Sequence, residues 1–123
     1  ILCRTSNPGA SDLQHLDTGG EPLYRRVAEL AQRMNSAGNV GLVVGATAPQ
    51  QVAEVRSATA LPFLLPGVGA QGGDVDAAVR GAWNGDRASC LVSSSRGVIY
   101  AASPGHEAAA LKAQINAAAG VRA

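Results

Sequence analysis

The sequence LPFLLPGVGAQGGD at residues 61–74 joins a short apolar run to a glycine-rich loop. Leu61 and residues 63–65 form a nearly continuous hydrophobic segment, which is typical of a parallel strand that is covered on both faces. The glycines of the loop permit positive φ angles and let backbone N–H groups approach a ligand, and a helix is predicted to begin at Asp74. The stretch therefore predicts a strand, a loop and a helix, in which the loop is either an anion cradle or a tight βα turn.

Composition narrows the class of protein. With 123 residues, of which 46% are hydrophobic, the chain is long enough to bury a core. A net charge of +1 and an aromatic content of 3% argue against nucleic acid as a partner. No run reaches the roughly 18 apolar residues that span a bilayer. Residue 1 also lacks the charged start of a signal peptide, so we expect a soluble, cytoplasmic protein without a membrane partner.

Cysteine and histidine give no sign of a cofactor or metal site. Cys3 and Cys90 both fall inside predicted strands, so we interpret them as small buried hydrophobic residues rather than as a disulfide or reactive thiols. No Cys/His cluster has the spacing of metal ligands.

The first half of the chain contains two predicted strands and two predicted helices. A strand ends at Arg4, and a helix begins at Pro22, whose fixed φ suits a first turn. A second strand covers residues 40–45, and a second helix covers residues 49–58 with Thr47 as its N-cap. The predicted apolar faces of the two helices consist of Leu23, Val27, Leu30 and Met34 in the first, and of Val52 and Val55 in the second.

The second half continues this alternation. A helix over residues 74–83 is predicted to bury Val75, Val79 and part of Trp83. The fourth strand covers residues 88–93, and an alanine-rich helix covers residues 105–119. Four strands, each followed by a helix, predict an α/β fold built from parallel βα units.

Two polar loops are predicted to lie side by side. Gln71 and Arg96 each follow a buried strand, so both lie at the carboxyl ends of neighbouring parallel strands, where α/β proteins bind ligands. Arg96 offers a planar fork of donors to phosphate oxygens, Gln71 offers an amide, and the backbone near Ser95 opens a short helical turn. These features favour a phosphate site. The alternative is that Arg96 is a surface arginine paired with a local carboxylate.

Four motifs carry a resemblance to a known family: SNPGA at residues 6–10, VGAT at 44–47, PGVGAQGGD at 66–74 and SSSRGVIYA at 93–101. Together they resemble the C-terminal half of orotidine 5′-phosphate decarboxylase, in the longer-chain bacterial branch found in mycobacteria and their relatives. The resemblance implies that residues 1–123 form four βα units, half of a (β/α)8 TIM barrel, whose N-terminal half lies outside this chain. The length agrees, since such a barrel takes about 250 residues.

The resemblance also implies roles for individual residues. Gln71 and Arg96 correspond to the side chains that contact the nucleotide phosphate, assisted by main-chain N–H groups around Ser95 and Arg96. No metal or other cofactor is implied.

The base pocket has its own set of residues in this resemblance. Ser6 corresponds to a serine that hydrogen-bonds the pyrimidine, and Pro66 and Val68 correspond to residues on the apolar side of the base pocket. From the residues alone, Ser6 could instead cap a helix at Pro8, and Pro66 could simply end its strand.

The catalytic residues of the family have no counterpart here. Its chemistry rests on lysines and aspartates, including an Asp-x-Lys arrangement, that this sequence lacks. The only lysine, Lys112, lies on the last predicted helix beside an apolar stripe, where we expect it to be solvated. We therefore assign no catalytic residue to this chain and expect it to hold the substrate-binding half of an active site.

The function implied for the complete protein is that of a cofactor-free carboxy-lyase. It would convert orotidine 5′-phosphate to uridine 5′-phosphate and CO₂ in pyrimidine biosynthesis, as a homodimer, with the N-terminal half-barrel as the partner of this segment. Two alternatives remain at this point: another sugar-phosphate-binding barrel enzyme, and a non-catalytic phosphate-binding half-barrel module. Ser6 and Pro66 count against the first alternative because they match a base pocket.

Overall fold

The computed structural model describes residues 1–69 and 72–121. Strands and helices alternate through this part of the chain, which confirms the predicted α/β architecture. The elements are β1 (Leu2–Arg4), α1 (Ala10–Gln14), α2 (Leu23–Met34), β2 (Leu42–Val44), α3 (Pro49–Ala58), β3 (Phe63–Leu65), α4 (Val75–Ala82), β4 (Cys90–Val92), α5 (Ser95–Ile99) and α6 (Pro104–Ala118).

The four strands form one parallel sheet in the order β1-β2-β3-β4. Each strand is hydrogen-bonded to the next in sequence, as the connection of successive βα units requires. The face of the sheet that packs on the helices carries the core. Its most buried side chains are Cys3, Leu42, Val44, Phe63 and Leu65 from the strands, and Val52, Val55 and Val79 from the helices.

The opposite face of the sheet presents a row of aliphatic side chains in direct register, which we call the inner row: Leu2, Val43, Leu64 and Leu91. Leu2 and Leu91 are each 67% exposed and Leu64 is 40% exposed. The sequence predicted that β3 is covered on both faces. That expectation is wrong for this chain, because no helix or strand of the described residues lies over the inner row.

Helix α2 confirms only part of its predicted apolar face, since Val27 packs against the core and Leu23 is half-buried. Leu30 and Met34 are exposed, whereas Tyr24, Ala28 and Ala31 are buried. The small alanines let α2 approach β1 and α3 closely, and only the later part of the predicted stripe, Leu30 and Met34, is turned outward.

Helix α3 confirms its predicted bounds and its inward residues, but its start differs in detail. Pro49 occupies the first turn as predicted, yet the N-cap is Ala48 and no side chain caps the helix. Thr47 is exposed and is therefore not the predicted N-cap. The predicted burial in α4 is confirmed, since Val75 and Val79 are buried and Trp83 is half-buried.

Candidate functional site

The carboxyl ends of the four strands meet at one edge of the sheet. Backbone hydrogen bonds join the strand ends there, from N–H of Gly45 to O of Arg4 (2.6 Å), from Ala46 to Pro66 (2.9 Å) and from Ser93 to Leu65 (3.1 Å). The loops that follow these strands therefore begin side by side, as the sequence predicted for the two polar loops.

The glycine-rich loop after β3 folds back on itself. Gly67, Gly69 and Gly72 have φ angles of 91°, 65° and 80°, which favour glycine. The N–H of Gly73 donates to the carbonyl of Gly67 at 3.1 Å, and a Cβ at position 73 would lie only 2.6 Å from that oxygen. A side chain at residue 73 would thus break the loop. Gln71, the predicted phosphate ligand in this loop, lies outside the described residues.

At the start of α4, a side chain already accepts hydrogen bonds from the first turn. The carboxylate of Asp74 accepts hydrogen bonds from the N–H groups of Asp76 (2.9 Å) and Ala77 (3.2 Å). These bonds satisfy first-turn donors, and Asp76 adds a second negative charge. These two N–H groups are therefore already occupied, and the anion-cradle and tight-turn interpretations of the loop both stay predictions.

A pocket of about 220 Å³ lies between the loops after β3 and β4. It is lined by residues 66–68 and by residues 93–97. The pocket brings together four of the predicted site residues, Pro66, Val68, Ser95 and Arg96. Val68 is 4% exposed, Pro66 is half-buried and Arg96 is exposed, so the pocket has an apolar wall and a cationic rim.

The loop after β4 turns directly into α5 at Ser95. The N-cap of α5 is Ser94, and no side chain caps the first turn of this helix. Gly97 packs tightly there, because a Cβ at this position would lie 2.7 Å from Oγ of Ser94. Within the described residues, Arg96 has no ion pair and no side-chain hydrogen bond; the ion pairs found there join Glu21 and Glu29 to arginines of α2. The alternative in which a local carboxylate neutralises Arg96 therefore finds no partner in this part of the chain.

Ser6 lies at the same edge but beside β1 and β2 rather than in the 220 Å³ pocket. A Cβ on Gly45 would lie 3.0 Å from both N and Cβ of Ser6. The N-cap of α1 is Gly9 and no side chain caps that helix, so Ser6 does not have the helix-capping role that was the alternative for it. Pro66 directly follows β3, as predicted, and lines the 220 Å³ pocket, while its role in a base pocket stays a prediction.

Sequence reasoning missed the residue that holds the Ser6 loop. Gln14, at the end of α1, makes hydrogen bonds to both the backbone and the side chain of Thr5. A single glutamine on a five-residue helix carries no periodic or motif signal, so only the folded structure reveals the contact.

Lys112 is exposed, as predicted, and lies far from this edge. It lines a separate pocket of about 390 Å³ together with Trp83, Arg87 and Cys90, at the amino end of β4. No group of three or more histidine, cysteine or acidic side chains in the described residues is arranged to hold a metal ion. None of the helices in the described residues is long and apolar enough to cross a bilayer.

The two cysteines are free thiols, and neither is an activated nucleophile. Cys3 is buried and donates to the carbonyl of Tyr24 at 3.1 Å. Burial raises the pKa of Cys3 to about 11 and also raises the pKa of the half-buried Cys90. Both groups are therefore held as neutral thiols at physiological pH.

Comparison with known proteins supplies the family context. The model of the orotidine 5′-phosphate decarboxylase / HUMPS family matches residues 1–111. An orotidine 5′-phosphate decarboxylase of Azoarcus sp. (strain BH72) is 52% identical over 115 residues, which are 92% of this chain and 43% of that protein.

Solved structures agree with the sequence relatives. The structure of Leishmania donovani UMP synthase superimposes with a TM-score of 0.92 at 47% identity and covers 96% of this chain and 27% of that one. The structure of Leishmania donovani OMP decarboxylase superimposes with a TM-score of 0.89 at 43% identity, over 98% of this chain and 47% of that one. The chain thus spans less than half the length of each of these proteins.

Proposed function

Because the chain belongs to the orotidine 5′-phosphate decarboxylase / HUMPS family, we propose that it is the substrate-binding, C-terminal half of an orotidine 5′-phosphate decarboxylase. The complete enzyme would release CO₂ from orotidine 5′-phosphate and leave uridine 5′-phosphate, a step of pyrimidine biosynthesis that needs no cofactor. The observation that supports this most directly is the pocket that joins Pro66 and Val68 to Ser95 and Arg96 at the carboxyl edge of the sheet.

The phosphate is assigned to the Arg96 side of the pocket. A guanidinium presents paired N–H donors that match phosphate oxygens, and the N–H groups at the uncapped start of α5 can add to them. Because Arg96 has no carboxylate partner in the described residues, its charge remains available for a phosphate dianion. Gln71 is proposed as a second contact on the strength of its place in the PGVGAQGGD motif alone.

The base is assigned to the part of the same edge between β3 and β1. Pro66 and the buried Val68 supply an apolar wall against which a pyrimidine ring can pack. Ser6, on the loop after β1, is proposed to hydrogen-bond the polar edge of the ring. Substrate would thus lie across the ends of the strands, with its phosphate over β4 and its base towards β1.

Bond cleavage and protonation are assigned to residues outside this chain. Its only lysine, Lys112, is on α6 and lines the pocket at the amino end of β4, and the sequence has no Asp-x-Lys motif. Binding of the remote phosphate still contributes to catalysis, since that binding energy can offset the cost of ordering charged groups at the reacting carbon. We propose that the N-terminal half of the barrel supplies these groups and covers the inner row, and that the complete enzyme is a cytoplasmic homodimer.

The test uses the complete protein and this 123-residue chain side by side. We expect the complete protein to release CO₂ from orotidine 5′-phosphate and to bind uridine 5′-phosphate more tightly than ribose 5-phosphate, and the isolated chain to be inactive. Equal affinity for the two ligands without decarboxylation would indicate a different sugar-phosphate enzyme. A monomeric isolated chain that binds phosphate esters by itself would indicate a non-catalytic module.

A further inference from the structure

Gln14 holds the residue that precedes Ser6 by two hydrogen bonds. The N–H of Thr5 donates to Oε1 of Gln14 at 3.0 Å, and Nε2 of Gln14 donates to Oγ1 of Thr5 at 2.9 Å. The Gln14 side chain thus accepts from the backbone of Thr5 and donates to its side chain. The two bonds fix both the position and the orientation of Thr5. Since Ser6 is the next residue, its backbone is restrained as well.

Arg4 and Asn7 extend this network on both sides of Ser6. Arg4 is a buried residue, and its Nη1 also donates to Oε1 of Gln14 at 3.3 Å. Oγ1 of Thr5 donates in turn to Oδ1 of Asn7. The loop after β1 is therefore tied to the end of α1 by polar contacts before and after Ser6.

Gly45 restrains the same segment from the opposite side. Its N–H donates to the carbonyl of Arg4 at 2.6 Å, and a Cβ at position 45 would lie 3.0 Å from N of Ser6 and 3.2 Å from the carbonyl carbon of Thr5. Any side chain there would press on the Ser6 backbone. Residues 5 and 6 therefore pack closely against Gly45 on one side and are hydrogen-bonded to Gln14 through Thr5 on the other.

We propose that Gln14 is a positioning residue that fixes Ser6 in the orientation needed to bind the pyrimidine. The inference rests on the proposed role of Ser6 in the base pocket. Gln14 does not line the pocket that contains Arg96, so its effect should be confined to the base and should not reach the phosphate. A group held in place before ligand arrives binds more tightly, because the ligand does not have to order it.

The experiment is a double-mutant cycle in the complete enzyme with Gln14→Met, which keeps the length of the side chain and removes its hydrogen bonds. We expect Gln14→Met to weaken binding of uridine 5′-phosphate about tenfold and to leave binding of ribose 5-phosphate within about twofold of the parent. Gln14→Glu, which still accepts from Thr5 and Arg4, should recover most of the loss. In a Ser6→Ala background, Gln14→Met should change the affinity for uridine 5′-phosphate less than about twofold.

An equal loss in both backgrounds, or a matching loss of affinity for ribose 5-phosphate, would overturn the proposal and make Gln14 a general stabiliser of the loop. If Gln14→Met does not fold, Gly45→Ala displaces the same segment while keeping Gln14, and the same cycle with Ser6→Ala applies.

Amide hydrogen exchange separates this proposal from the proposed function. The Thr5 amide is a direct donor to Gln14, so its exchange should accelerate about tenfold or more in Gln14→Met. If Ser6→Ala leaves nucleotide affinity unchanged, the base-binding role of Ser6 fails, while accelerated exchange would still support the positioning by Gln14. If amide exchange at residues 5 and 6 is unchanged in Gln14→Met, the positioning role of Gln14 is overturned whatever the binding data show.

Discussion

The guanidinium carbon of Arg56 lies 3.7 Å from the centroid of the Phe63 ring, beneath the sheet at the amino ends of the strands. The same guanidinium donates hydrogen bonds to four backbone carbonyls, those of Thr59 (3.0 Å), Leu61 (2.9 Å), Ala82 (2.7 Å) and Ser89 (3.0 Å). Partial burial lowers the pKa of Arg56, yet arginine remains protonated, and the carbonyls compensate its charge in place of a carboxylate. One side chain thereby links the ends of α3 and α4 to the segments that enter β3 and β4.

We expect Arg56→Met to lower the free energy of unfolding of the complete protein by about 2–4 kcal/mol, because methionine fills the space but removes the guanidinium donors of four carbonyls, of which that of Ser89 keeps the N–H of Phe63. Denaturant unfolding measures the change. Arg80→Met is the matched control, since Arg80 is exposed on α4 and has no ion pair in the described residues, and it should cost less than about 0.5 kcal/mol. Equal losses in the two variants would contradict the role given to Arg56.

The sequence predicted the elements well but not contacts of this kind. Helix α3 was predicted with its observed bounds because Pro49 marks its start and Val52 and Val55 give its inward face. The partners of Arg56 could not be predicted, because they are backbone carbonyls from separate segments and every residue type has such a carbonyl. The burial of Ala28 and Ala31 in α2, where Leu30 and Met34 are exposed, was equally unpredictable, because it depends on how closely the neighbouring helix packs.

The candidate site was predictable to the extent that it follows from strand direction. The carboxyl ends of parallel strands meet at one edge, so the loops that carry Gln71 and Arg96 were expected to be neighbours, and residues 66–68 and 93–97 of these loops do line one pocket. The capping of α4 by Asp74 was not anticipated, because an aspartate at a helix start also fits a loop that faces a ligand. The hold of Gln14 on Thr5 depends on where α1 packs, which no local pattern specifies.

Tyr24 gives a prediction for the dependence of stability on pH. Burial, followed by the hydrogen bond to Glu54 and the charge of that carboxylate, raises the pKa of Tyr24 from 10 to about 12. Below pH 10 the phenol is protonated in the folded and unfolded chains alike, and its contribution is constant. As the pH rises from 10 towards 12, the unfolded chain ionises first, so this contribution to stability is lost.

Tyr24→Phe in the complete protein tests this directly. At pH 7 we expect a loss of about 0.5–1.5 kcal/mol from the missing hydrogen bond. Between pH 10 and 12 the stability of the parent should fall more steeply than that of the variant, so that the two curves converge. Parallel curves from urea unfolding across this range would show that the phenol of Tyr24 ionises equally in both states.

The inner row predicts that the isolated chain self-associates. Leu2, Leu64 and Leu91 present a contiguous aliphatic strip, and β1 and β4 are open edges of the sheet. We expect sedimentation velocity to show oligomers or aggregates of the 123-residue chain, and Leu64→Glu with Leu91→Glu to shift it towards monomer.

The matched control places the same charges on another exposed apolar surface, the outer face of α2. Leu30→Glu with Met34→Glu should leave the sedimentation of the isolated chain nearly unchanged, although these side chains are 49% and 56% exposed. A stronger effect from the α2 pair would move the association surface away from the sheet. A parent chain that is already a sharp monomer would contradict self-association through the inner row.

Arg96 provides the most selective test of the phosphate site. In the complete enzyme, we expect Arg96→Ala to reduce nucleotide binding and transition-state stabilisation by about 2–4 kcal/mol, because a charge-assisted contact to phosphate is lost. Gln71→Ala should follow the same pattern with a smaller loss, since a neutral amide contributes less than a guanidinium. Arg87→Ala removes the same charge at the amino end of β4, far from the pocket, and should leave kcat/KM within about twofold of the parent.

A substrate that lacks the phosphate identifies which contact was lost. The Arg96→Ala variant and the parent should process orotidine, the phosphate-free analogue, at nearly equal rates, because the missing guanidinium then has no group to hold. The ratio of kcat/KM values for the two substrates is the measurement, and only the phosphorylated substrate should show the full loss. If Arg96→Ala slowed both substrates equally, Arg96 would be acting on the base or on the fold, and its assignment to the phosphate would have to be withdrawn.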